Sequence, residues 1–347
     1  MKAMVLRQCG PIDSNPLRCE ELPDPVPGLG QVRVRVKACG ICRTDLHVIE
    51  GDLPHQTQPI IPGHQVIGTV DLLGPGTKRY SVGQRIGIAW LHQSCGICSY
   101  CLQGHENLCT DPLFTGYQRP GGFSEYCVVP EDFAYAIPDT FSDMEAAPLL
   151  CAGIIGYRSL KRSGCQLGST LALFGFGSSA HIVIQIAQHW NCRVYVCSRN
   201  LHHQQLALEL GASWAGSSTQ GMPSRVQHAI IFAPAGNLVP EALESLDRGG
   251  TLALAGIYMS AIPEMNYEKH LFYERNIGSV TANTRQDGEE LLRIAAAIPI
   301  RPQTQVFDLL EANKALRLLK LDQIRGSGIL VPGWNANPVM DSTRPPN

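Results

Sequence analysis

Hydrophobic periodicity changes twice along the chain and divides it into three stretches. From residue 1 to about 150, short β-branched runs separated by Pro and Gly dominate: Val32 to Val36, Val66 to Val70, Arg85 to Ile88 and Phe123 to Val129. Short runs between such breakers predict strands, so this stretch reads as an all-β-leaning domain. Helical periodicity then appears over Ala180 to Trp190, Gln204 to Gly211 and Glu241 to Leu246. It is interleaved with the apolar runs Leu171 to Phe174, Val194 to Cys197, Ala229 to Phe232 and Thr251 to Ala255. Strand and helix in that rhythm predict a parallel α/β sheet. After about residue 285 the pattern shifts again, to a helix over Gly288 to Ala297, a strand over Thr304 to Phe307, a helix over Leu309 to Lys320 and a strand over Gly328 to Val331. These could return to complete the first domain. The tail from Gly333, with Pro338, Pro345 and Pro346, is expected to be disordered.

At 347 residues the chain exceeds what one hydrophobic core usually holds, so two domains are expected and neither needs disulfides. A net charge of −2 with no basic run gives no electrostatic footprint for nucleic acid or an anionic membrane surface. No stretch approaches the roughly 20 apolar residues that span a bilayer. A signal peptide is not expected either, since a lone Lys2 leads into residues interrupted by Arg7, Gly10 and Pro11. The expected location is the cytoplasm. Thirteen cysteines then need explaining, and an odd number without a secretory signal fits metal ligation better than a disulfide framework.

The densest chemistry lies between Ala38 and His47, where Cys39, Cys42, Arg43, Thr44, Asp45 and His47 follow a strand-like run. A thiolate there can bind a borderline-soft ion such as Zn²⁺, Thr44 and His47 can carry a proton, and Asp45 can orient a ligand histidine. On this stretch alone, a redox Cys-x-x-Cys pair or two core thiols stand as equal alternatives. Further on, Cys95, Cys98, Cys101 and Cys109 are spaced C-x₂-C-x₂-C-x₇-C, with Gly96 and Gly104 allowing tight turns. Four thiolates in one loop can close a tetrahedral structural zinc site. Iron–sulfur runs share the first part of this spacing but continue with a shorter gap and a proline. Here Cys109 comes after seven residues and precedes Thr110, which favours zinc.

The apolar run at Leu171 to Phe174 leads into Gly175-Phe176-Gly177-Ser178-Ser179-Ala180 and then a helical pattern. In that context the glycines permit close backbone approach, and the helix N-terminus offers free N–H groups to a pyrophosphate. The next strand ends in Ser198-Arg199 rather than in the acidic residue that binds the ribose of NAD. A serine and a guanidinium would bind a 2′-phosphate, so NADP(H) is favoured, with NAD(H) and adenine stacking by Arg199 as the alternative.

In this order, the thiol and relay stretch, Gly63-His64, the four-cysteine lobe and the glycine-rich loop resemble the zinc-dependent alcohol dehydrogenases of the medium-chain dehydrogenase/reductase superfamily. The bacterial members acting on simple alcohols and aldehydes are the most similar. The resemblance implies a GroES-like β-rich catalytic domain over residues 1–151, with a structural zinc lobe at 95–109. It implies a Rossmann doubly wound parallel-sheet domain over 152–285, a return to the catalytic domain over 286–332, and a tail over 333–347. Two Zn²⁺ per chain are implied, a catalytic one on Cys42, His64 and Cys151, and a structural one on Cys95, Cys98, Cys101 and Cys109. Cys39 would not be a ligand, and a fourth catalytic position would be left for water, alcohol or aldehyde. Thr44 would pass the substrate hydroxyl proton through the cofactor ribose to His47. Asp45 would accept a hydrogen bond from His64, and Arg43 and Arg325 would hold the pyrophosphate.

Where the family usually has Gly-His-Glu, this chain reads Gly63-His64-Gln65, so a neutral amide replaces a carboxylate. Trp90, Leu91 and Leu53 match pocket-wall positions and suit a small to medium apolar primary or secondary alcohol. A polyol or sugar-alcohol dehydrogenase would need a more polar pocket, and a non-catalytic cofactor-binding member would not need an open metal site. The implied partners are a small alcohol or aldehyde and further copies of the chain in a homodimer or homotetramer.

Overall fold

The computed structural model describes residues 1–54, 57–298 and 300–334; from residue 335 onward, the tail expected to be disordered lies outside the described residues. Its organising strand is Gln31–Ile41. Along it Val32, Val34 and Val36 point into the core while Arg33, Arg35 and Lys37 alternate outward, and from Ala38 to Ile41 every residue is buried. A half-solvated strand thus becomes fully enclosed just before Cys42.

This strand pairs antiparallel along one edge with Gln65–Leu73. It also pairs antiparallel with Tyr126–Pro130 near its start and with Ser327–Val331 near its end. The resulting seven-stranded sheet includes Arg85–Ile88, Ala134–Ala136 and Thr304–Asp308. The two late strands, more than 260 residues downstream by sequence number, therefore join the sheet that the first stretch builds.

The second sheet has six parallel strands, in the spatial order Trp214–Gly216, Arg193–Cys197, Thr170–Phe174, Val226–Ile231, Leu246–Leu254 and Asn276–Ser279. Numbered along the chain this order is 3-2-1-4-5-6, the doubly wound Rossmann-type order. The inner strands Arg193–Cys197, Thr170–Phe174 and Val226–Ile231 carry buried apolar residues on both faces. Leu171, Leu173, Val194 and Val196 pack under the helices Ala152–Ser163 and Ser178–His189, while Ala172, Phe174, Tyr195 and Cys197 pack towards Leu238–Ser245.

The two sheets meet at the start of the helix Ser178–His189. Ser178 Oγ lies 2.5 Å from Ser327 Oγ, and Gly328 beside it pairs with Ile41, one residue before Cys42. The loop from Gly175 to Ala180 is thereby held next to the end of the organising strand. No helix among the described residues is long and apolar enough to cross a membrane.

Candidate active site

Three separate elements deliver the donor atoms of one cluster. Cys42 precedes the helix Arg43–Glu50, His64 lies in the loop before the strand Gln65–Leu73, and Cys151 precedes the helix Ala152–Ser163. Gly63 allows His64 its place. It adopts φ 95°, and a Cβ there would fall 2.4 Å from the Phe123 ring, so any side chain would displace the loop. His64 Nε2 is 3.3 Å from Cys42 Sγ and 3.3 Å from Cys151 Sγ, and the two sulfurs are 4.0 Å apart.

Asp45, in the first turn of the helix Arg43–Glu50, orients this set. One Asp45 oxygen accepts the Cys42 N–H at 2.8 Å, and the other accepts His64 Nδ1–H at 3.1 Å, leaving Nε2 turned to the sulfurs. Burial pulls the His64 pKa down, but Asp45 and the Cys42 thiolate outweigh it and lift it to about 10. The hydrogen bond between the two thiols, set in a buried site, pushes Cys42 well below the usual thiol range and Cys151 well above it. Two sulfurs and an imidazole at these separations match tetrahedron edges of about 3.5–3.8 Å around a zinc-sized ion, and a three-ligand set is that of an open site. Cys39 is fully buried, is raised well above the usual thiol range by burial, and is not in the cluster.

The second cluster brings together Cys95, Cys98, Cys101 and Cys109, whose sulfurs lie within 4.8 Å of one another. Backbone N–H groups point at the sulfurs: Cys95 N and Asp111 N donate to Cys109 Sγ at 3.3 and 3.4 Å, and Cys98 N donates to Cys95 Sγ at 3.4 Å. The Cys101 and Thr110 amides hold the Cys98 thiol down at about 6, while burial raises Cys109 to about 11. Four sulfurs with amide donors suit a closed thiolate site.

The remaining candidate residues are placed as follows. Thr44 is buried in the first turn of the helix that Cys42 caps. His47, on the same helix, bonds to Asp52 at 2.8 Å. Gly175, Phe176, Gly177, Ser178, Ser179 and Ala180 form the turn from the strand Thr170–Phe174 into the helix Ser178–His189. Ser198 is buried at the end of the neighbouring strand. Arg199 is exposed and has no ion-pair partner among the described residues. Arg43 pairs with Asp322 at 2.5 Å, and Arg325 with Glu209 at 2.5 Å.

Trp90 meets His64 edge-on, with ring centroids 4.9 Å apart, and stacks on Phe114 and Tyr117. Leu53 is half-buried, whereas Leu91 is only 1% exposed and belongs to the core of the first sheet. Gln65 is buried, with its Nε2 lacking a hydrogen-bond partner among the described residues. Sequence reasoning missed Asp52, Tyr258, Phe114 and Tyr117, because long-range contacts rather than local motifs bring them here.

The family model of the alcohol dehydrogenase GroES-like domain matches residues 28–139, and that of the zinc-binding dehydrogenases matches residues 180–297. A probable alcohol dehydrogenase, AdhA, of Mycobacterium tuberculosis is 45% identical over 336 residues, covering 95% of this chain and 97% of its own. An alcohol dehydrogenase of Geobacillus stearothermophilus is 35% identical over 339 residues, covering 95% of this chain and 98% of its own. Among solved structures, a cobalt- and zinc-bound thermostable alcohol dehydrogenase from Pyrobaculum aerophilum superposes with a TM-score of 0.87 at 25% identity, over 96% of this chain and 99% of that one.

The chain belongs to the zinc-binding alcohol dehydrogenases of the medium-chain dehydrogenase/reductase superfamily. It is an oxidoreductase of the alcohol-dehydrogenase type, with the GroES-like and Rossmann-type parts expected from the sequence. The family's substrates are small alcohols and its cofactor is a nicotinamide dinucleotide.

Proposed function

We propose that the enzyme interconverts small to medium apolar primary or secondary alcohols and their carbonyl products. One Zn²⁺ is held by Cys42, His64 and Cys151, a second by Cys95, Cys98, Cys101 and Cys109, and NADP(H) is preferred to NAD(H). The observation that carries this reading is the convergence of the Cys42, His64 and Cys151 donors at 3.3–4.0 Å, with Asp45 fixing the imidazole.

Zinc bound there supplies Lewis acidity towards the substrate oxygen. The protein's own groups do the rest. Asp45 keeps His64 Nε2 turned to the sulfurs, and the Thr44 hydroxyl, buried beside Cys42, passes the substrate proton on towards His47. Trp90 and its aromatic stack exclude water from the reacting carbon. Arg43 and Arg325 would hold the pyrophosphate, and Ser198 with Arg199, which has no ion-pair partner among the described residues, would receive a 2′-phosphate.

A homo-oligomer is supported by the outermost strand Asn276–Ser279, which among the described residues has a neighbour on one side only, and by exposed Tyr267, Phe272 and Tyr273 just before it.

The test is kcat/KM for reduction of a panel of small aldehydes by zinc-loaded protein, with NADPH and NADH side by side. A preference for NADPH of roughly tenfold or more is expected, as one charge-assisted contact supplies. Preference for NADH returns Arg199 to adenine stacking, and absence of turnover with either cofactor overturns the catalytic reading.

A further inference from the structure

The helix Arg43–Glu50 ends in a turn that carries a carboxylate back over its own histidine. Gly51, at φ 85°, takes the left-handed conformation that reverses the chain, and the N–H groups of Gly51 and Asp52 both donate to the His47 carbonyl, at 3.0 and 2.9 Å. Asp52 is thereby fixed beside the ring, and His47 Nδ1 donates to Asp52 Oδ2 at 2.8 Å.

An ionised carboxylate can only accept, so the neutral imidazole carries its hydrogen on Nδ1 and its lone pair on Nε2. Nε2 makes no hydrogen bond among the described residues. Tyr258, from the segment following the strand Leu246–Leu254 of the second sheet, packs against the ring with centroids 5.5 Å apart. The His47 side chain is mostly enclosed, whereas that of Asp52 is 46% exposed. Nearby charges are already matched, Lys320 by Glu50 at 2.7 Å and Arg317 by Asp13 at 3.3 Å. Asp52 is therefore the carboxylate committed to His47.

We propose that Asp52 is a positioning residue for proton exit: by accepting Nδ1–H it holds His47 in the tautomer whose Nε2 can take up the proton released when an alcohol is oxidised. This rests on the dehydrogenase reading above, with His47 at the outer end of the relay. The substrate C–H hydride goes with its electron pair to NAD(P)⁺. The hydroxyl proton reaches His47 Nε2, and the imidazolium so formed is stabilised by Asp52 until buffer removes the proton and restores the neutral ring.

The test compares wild type, Asp52→Ala and Asp52→Glu as zinc-loaded holoenzymes. The ¹⁵N shifts of the His47 ring, assigned by their loss in His47→Gln, report the tautomer without any need for turnover. Wild type and Asp52→Glu are expected in the Nδ1–H form, and Asp52→Ala mainly in the Nε2–H form of an unconstrained imidazole. In parallel, kcat for alcohol oxidation falls about tenfold in Asp52→Ala, recovers in Asp52→Glu, and leaves the KM for alcohol in place. An Nδ1–H tautomer that persists in Asp52→Ala overturns the proposal, as does a shifted tautomer with unchanged kcat. A wild type that oxidises no alcohol defeats the dehydrogenase reading together with this one, whereas an active wild type matched by Asp52→Ala defeats this one alone.

Discussion

Gln65 directly follows His64, one of the three clustered donors, and carries a neutral amide. The side chain is buried, its Nε2 lacks a partner among the described residues, and a Cβ at Gly40 would lie 2.8 Å from its Oε1. A carboxylate there would add a full negative charge at a site already carrying thiolate charge. In a poorly solvated setting such a charge stabilises the protonated form of any acid nearby, so that acid's pKa rises. Gln65→Glu is therefore expected to retain activity while the acidic limb of kcat/KM against pH, in the alcohol-oxidising direction, moves to higher pH. A limb that stays where it is in the wild type would show that this position exerts no electrostatic control.

The four-cysteine lobe shows the same logic at the scale of an element. Its helix Ser99–Leu102 has no buried residue, and Ile97 and Leu102 are 81% and 75% exposed, so the lobe has no apolar core of its own. Contacts at its end tie it to the rest of the molecule: Arg285 Nε to Glu106 at 2.7 Å, and Asn107 Nδ2 to the Thr281 carbonyl at 3.0 Å. On the proposed reading, an ion on the four sulfurs would take the place of a core. Cys98→Ser is expected to release one zinc per chain and to speed proteolytic nicking between residues 93 and 112 roughly tenfold or more, as local opening becomes easier. Unchanged nicking would mean that the lobe holds without the ion.

The convergence of this lobe's four cysteines was legible in the sequence because they are local, and spacing alone brings them together. The other cluster was not legible from spacing, since Cys42, His64 and Cys151 come from separate elements, and only resemblance to a family joined them. The His47–Asp52 contact depends on one left-handed glycine and left no periodic signal. Helix bounds erred where capping decides. Leu201–Glu209 starts before Gln204 because the Asn200 side chain accepts the His202 N–H, and Arg285–Ala297 starts before Gly288 because Thr284 and Asp287 form a capping box.

For the molecule as a whole, the two sheets must stay in register for the Gly175 to Ala180 loop to lie beside the strand that leads to Cys42, and a buried histidine helps to hold them there. His181, on the helix that follows the loop, accepts the Gln303 N–H on Nε2 at 3.2 Å, just ahead of the strand Thr304–Asp308 of the first sheet. Because that partner is a backbone donor, Nε2 must be unprotonated, and the ring hydrogen sits on Nδ1, 3.4 Å from the Gly177 carbonyl. A second ring proton would set N–H against N–H in a fully buried site, and burial pushes the His181 pKa down to about 4. An unfolded histidine titrates near 6.5. Between these values the unfolded chain binds a proton that the folded one refuses. The stability from neutral His181 is thus complete above about pH 6.5 and is lost as the pH falls towards 4, to an extent on the order of 2–3 kcal/mol. His92, also lowered to about 4 by burial, adds a term of the same sign that a change at residue 181 leaves intact. Comparing slopes therefore isolates His181. Between pH 7 and 5, the Tm of His181→Gln should fall less steeply than that of the wild type, whatever their difference at pH 7. Parallel Tm curves would mean that the junction between the sheets is held together without a neutral imidazole.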